Sequence, residues 1–133
     1  MKKKLLFTCL IGLISVTSAY AACDGGTEVT NTAGTTFCKS NVPMNWWSAA
    51  AWCKANRMQL ASMYEMCPSW DGREGVECPE LTGKANGYAW SATANGDSYA
   101  WGIQFGSIAK VYGDYAMNRR EYSRYDGFSA FCK

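Results

Sequence analysis

The sequence predicts an α+β fold with one main helix, a short second helix and antiparallel β-hairpins, tied by three disulfides. Three features carry that expectation. Six cysteines (Cys23, Cys38, Cys53, Cys67, Cys78 and Cys132) follow an N-terminal leader, and an even count in a short exported chain is first a disulfide framework. A single helical run with its own start signal, Trp46 to about Ala55, stands in the first half. From Gly87 onward, runs rich in aromatic and β-branched residues alternate with turn residues, which is the pattern of strands.

The leader explains the compartment. Lys2, Lys3 and Lys4 precede an apolar run from Leu5 to Val16, and Ala19 and Ala21 supply the small residues of a cleavage site. The run is shorter than the ~20 residues a membrane-spanning helix needs. Residues 1–21 are therefore expected to be removed as a signal peptide, leaving residues 22–133 as one exported domain with no transmembrane anchor. A lipid anchor on Cys23 is disfavoured, because Tyr20 stands where a lipoprotein signal has Leu. Three of the 13 basic residues leave with the leader, so 10 oppose 11 acidic ones, a net charge of −1. No basic field is left to attract nucleic acid or an anionic membrane.

The elements follow in order. Glu28-Val29-Thr30 and Thr35-Thr36-Phe37, separated by turn residues, read as a hairpin that brings Cys23 near Cys38. Asn45 caps the helix that starts at Trp46, and Trp46, Ala49 or Ala50, and Cys53 share a face at helical spacing, so Cys53 points inward. The helix ends near Asn56-Arg57. Met58 to Met63 reads as buried and extended, and Tyr64-Glu65-Met66 as one helical turn. Residues 68–77 form a turn-rich loop pinched between Cys67 and Cys78. Tyr88 to Ala92 is a strand, and Tyr99, Trp101, Ile103 and Phe105 alternate with smaller residues in a second. Gly106-Ser107 is a two-residue turn into a third strand, Ile108 to Tyr112. Phe128 to Cys132 is the last strand. The six tryptophans are expected in the core for the most part, since side chains of this size bury ~150–250 Å² each.

Asn45-Trp46-Trp47-Ser48-Ala49-Ala50-Ala51-Trp52-Cys53, then Leu60-Ala61-Ser62-Met63 and Glu65, then the terminal Phe131-Cys132, resemble the first helix, the following segment and the closing strand of C-type-lectin-like domains. The stretch from Tyr88 to Gly106 is similar to the bacterial branch of that superfamily. The resemblance runs in order over most of residues 23–133. It implies a long-form domain in which Cys53 pairs with Cys132, Cys23 with Cys38 and Cys67 with Cys78. The calcium-binding triplets of animal lectins, Glu-Pro-Asn or Gln-Pro-Asp and Trp-Asn-Asp, do not occur, and Asn95 and Asp97 read as an ordinary turn, so the non-calcium type is implied. No cofactor or metal is expected.

Enzyme chemistry has little to draw on. Histidine is absent, which removes the Ser-His and Cys-His pairs. A Ser-Lys pair has no local signature, and Glu74 and Glu77 read as solvated charges in a Gly-rich loop. The segment from Tyr112 to Asp126 reads as a binding loop: Tyr112, Asp114, Tyr115, Asn118, Arg119, Arg120, Tyr122, Arg124, Tyr125 and Asp126 combine stiff aromatic area with adaptable polar groups. Ligand loops of the resembled family also precede the last strand. The expectation is a non-catalytic, calcium-independent adhesin or receptor-like module for a protein or glycan, in the periplasm, on the cell surface or released. The alternative is a structural or accessory subunit of a cell-envelope or pilus-like assembly. A cell-wall hydrolase is the third reading.

Overall fold

The structure is a computed structural model that describes residues 23–118 and 128–133. The leader and its cleavage site lie outside the described residues. In chain order the elements are β1 (Gly26–Thr30), β2 (Thr36–Ser40), α1 (Trp46–Ala55), α2 (Met63–Met66), a 3-10 turn (Pro79–Leu81), β3 (Tyr88–Ala94), β4 (Tyr99–Gln104), β5 (Lys110–Ala116), β6 (Phe128–Ser129) and β7 (Phe131–Cys132). Among the described residues the fold is α+β with two helices, two sheets and three disulfides.

The first sheet has the order β1-β2-β7. The hairpin of β1 and β2 pairs Gly26 with Ser40 through Thr30 with Thr36, and β7 adds antiparallel to β2 with Cys38 opposite Cys132. The second has the order β5-β4-β3-β6, antiparallel except that β6 runs parallel to β3. The predicted single last strand is therefore two. Phe128 and Ser129 belong to one sheet, Phe131 and Cys132 to the other, and Ala130 is the pivot. Its N–H donates to Ser40 Oγ and its carbonyl accepts from Ser40 N, so a buried serine closes the polar groups that a strand leaving its sheet would orphan.

Both helices begin where their caps place them. The Asn45 side chain accepts from Ser48 N, and Ser62 and Glu65 form a reciprocal capping box on α2. The end of α1 is a Schellman turn: Met58 N donates to Cys53 O and Arg57 N to Lys54 O. Arg57 sits at φ 63°, the left-handed position usually given to glycine.

The four-stranded sheet separates two apolar clusters. Ala89, Ile103 and Val111 join one with Phe37, Met63, Met66, Trp70, Leu81 and Phe131. Trp90 and Ala100 join the other with Ala49, Cys53, Met117, Phe128 and Cys132. Five of the six tryptophans are buried in or packed against these clusters, and Trp47 departs from the expectation. Trp90 and Trp70 are buried, Trp46, Trp52 and Trp101 are half-buried, and Trp47 is 59% exposed. Ala49 and Cys53 occupy the inward face of α1, and the indoles flank it. Trp46 satisfies its indole N–H at this margin: Nε1 donates to Ser91 O at 2.9 Å.

Cys23 pairs with Cys38, Cys53 with Cys132 and Cys67 with Cys78. The second joins α1 to β7 across 79 positions. The pinched loop is better ordered than its turn residues suggest. Trp70 is buried in it and donates from Nε1 to Arg73 O, and its descending arm bonds to β5 through Gly75 N to Val111 O, Val111 N to Val76 O and Cys78 N to Ala109 O.

Candidate functional site

The candidate region is centred on β5, and here two local expectations are corrected. The connection from β4 to β5 is five residues, 105–109, because Phe105 and Ala109 are buried and leave the ladder to pack, while Gly106-Ser107 is only its apex. The strand itself then runs to Ala116, so Tyr112, Asp114 and Tyr115 lie on a strand and not in a loop. Three hydrogen-bonded neighbours outweigh the polar composition: β4 on one side, the 75–78 arm on the other, and Ser98 O accepting from Met117 N.

The register explains where the tyrosines sit. Gly102 pairs with Tyr112, and Ala100 with Tyr115, so Gly113 and Asp114 together oppose Trp101. This is a bulge. One extra residue flips the alternation, and Tyr112 and Tyr115 consequently share a face, their rings 6.3 Å apart. Gly102 makes room for that arrangement: a Cβ there would meet Ala89 O at 2.7 Å and Tyr115 Cδ2 at 2.9 Å. Tyr115 packs edge-on against Phe128, with ring centroids 4.6 Å apart, so it anchors the sheet. Tyr112 is half-buried, and Asp114 and Asn118 are exposed. Arg119, Arg120, Tyr122, Arg124, Tyr125 and Asp126 lie outside the described residues.

The two ends of that segment are fixed at one place. Met117 O accepts from Trp46 N at 3.0 Å, and Phe128 O accepts from Met44 N at 2.9 Å. The N-terminus of α1 thus holds both the departing and the returning chain.

Other groups with chemical potential have structural partners. Lys39 Nζ donates to Ser129 Oγ at 3.1 Å and lies 5.9 Å from the centre of the Phe105 ring. Burial holds its ammonium below the usual lysine range. A Ser-Lys pair could in principle generate a nucleophile, and this one has no local signature, since 90 positions separate the two. Ser129 is only 2% exposed, so its hydroxyl offers no open approach to a substrate. Glu74 is more than a solvated charge, because its Oε1 accepts from Gly113 N at 3.3 Å. Asn95, in the turn between β3 and β4, donates from Nδ2 to Gly113 O at 2.6 Å. The bulge is therefore clasped from both sides. Among the described residues no cluster of three or more Cys, Asp or Glu side chains is placed to hold a metal ion, and all six described cysteines are in disulfides.

Comparison with protein families, with curated proteins and with solved structures found no match to this chain. No described helix is long and apolar enough to cross a membrane. Three disulfides fit an oxidising compartment.

Proposed function

We propose that the chain is an exported, non-catalytic binding module of the C-type-lectin-like kind that recognises a protein or glycan, without calcium, through the region from Tyr112 to Asp126. The observation that carries the reading is the double tether at α1. A segment rich in Tyr, Arg, Asn and Asp leaves the sheet at Met117 and returns at Phe128, and both points are bonded to residues 44–46. Fixing both ends of a polar segment at one place is what a recognition loop requires, since it reduces the entropy lost on binding. The helix-to-last-strand disulfide, the N-terminal hairpin and the order of motifs support the lectin-like assignment.

The test is binding of the purified oxidised domain to glycan and extracellular-protein arrays. A variant carrying Asp114→Ala, Arg119→Ala, Arg120→Ala and Tyr122→Ala should lose roughly ten-fold or more in affinity for whatever ligand is found, with unchanged thermal stability. Excess chelator should leave binding intact. Full affinity in the variant would overturn the placement, and turnover of a cell-wall substrate in a zymogram would overturn the non-catalytic reading.

A further inference from the structure

A groove of about 720 Å³ lies between α1 and the segment that follows it, lined by Trp46, Ala50, Lys54, Arg57, Met58, Gln59, Leu60, Ala92 and Lys133. Its size lies within the ~300–1,000 Å³ of pockets that take small ligands. Trp46, Ala50 and Lys54 recur every four residues along the helix, so one stripe of α1 forms a wall, small at its centre. Met58 and Leu60 give an apolar floor. Lys133 at the rim is held by Glu65, Nζ to Oε2 at 3.3 Å. Lys54 and Arg57 form no ion pair among the described residues, and neither α1 nor residues 56–62 contain an acid. The groove is thus apolar below and cationic above.

Arg57 adds an independent clue. It occupies the left-handed position that closes α1, which glycine would adopt without the steric penalty a side chain carries there. A strained backbone keeps a guanidinium at this rim.

We propose that this groove docks an acidic peptide segment of a partner protein, with an apolar side chain on the Met58–Leu60 floor and flanking carboxylates on Lys54 and Arg57. The occupant is held by side chains and not by strand addition, because the backbone of Gln59 is already paired with Lys133 in both directions, at 3.2 and 2.9 Å. The groove shares Trp46 with the tether of the Tyr112–Asp126 segment but none of the residues proposed to bind there, so this inference is tested apart from that reading.

The probe is a labelled peptide, acetyl-Glu-Glu-Leu-Glu-Glu-amide, titrated by fluorescence anisotropy onto the oxidised domain, with its all-Gln counterpart and an oligogalacturonate as competitors. Binding should weaken steeply with salt, fail for the Gln peptide, and fall by roughly ten-fold in Lys54→Glu. Arg57→Gly is the decisive variant. It should melt higher than the parent yet bind more weakly, so its loss cannot come from misfolding. No binding of the Glu peptide, or binding untouched by both substitutions, would overturn the proposal. Displacement by oligogalacturonate at lower concentration than by unlabelled peptide would also overturn it, in favour of an acidic glycan.

Discussion

Glu65 shows how much one side chain can do. Its carboxylate accepts from Ser62 N, caps α2 and reaches Lys133. The Ser62 N–H, ahead of Lys133, holds its pKa below the ordinary 4.5. A carboxylate depressed in the folded state stabilises fully above its unfolded pKa and loses that contribution as pH falls through its folded value. Acid titration of the parent should therefore show a stability loss below pH 4.5 that Glu65→Gln lacks. Denaturant midpoints across the acid range measure it. Gly102 is the opposite case, important for an absent atom. Gly102→Ala should cost about 1–3 kcal/mol by overpacking against Ala89 O and Tyr115, read by urea unfolding.

At the level of elements, the sequence was most legible where structure is local. Asn45, the Trp46 start and the Asn56-Arg57 stop of α1 were readable because capping uses residues within one turn. Asn45→Ala should cost about 1 kcal/mol, seen as a lower denaturation midpoint. The N-terminal hairpin and the single turn of α2 were legible for the same reason. What local pattern could not reveal depended on distant partners. The length of β5 is set by its pairing with Tyr99 and Ala100 of β4 and by Ser98. The splitting of the last strand is set by β2 and β3 bidding for adjacent residues. Of the α1 indoles Trp47 alone departs from the expected burial: small residues, Ala49 and Cys53, take the inward face of the helix, and Trp46 and Trp52 pack against the cluster from its margins. Of the candidate binding residues, Tyr115 has turned out to be a sheet anchor, whereas Asp114 and Asn118 are exposed as a contact role requires. The groove was invisible because Arg57 reaches its rim only through a backbone conformation that residue type does not signal.

For the whole molecule, the covalent framework sets the stability. On the chain-entropy account, the Cys53–Cys132 loop of 79 positions contributes about 4–5 kcal/mol, against a stability of ~5–15 kcal/mol for a domain of this size. Replacing both cysteines with serine should lower the unfolding free energy by much of that amount. The Cys67 and Cys78 pair, enclosing 11 positions, should cost less. Denaturation of each oxidised variant ranks them.

The pivot at Ala130 also makes the two layers interdependent. Because Phe128 to Cys132 complete both sheets and supply the partner of Cys53, displacing this one short stretch would open both sheets at once, so neither layer can loosen through it without the other.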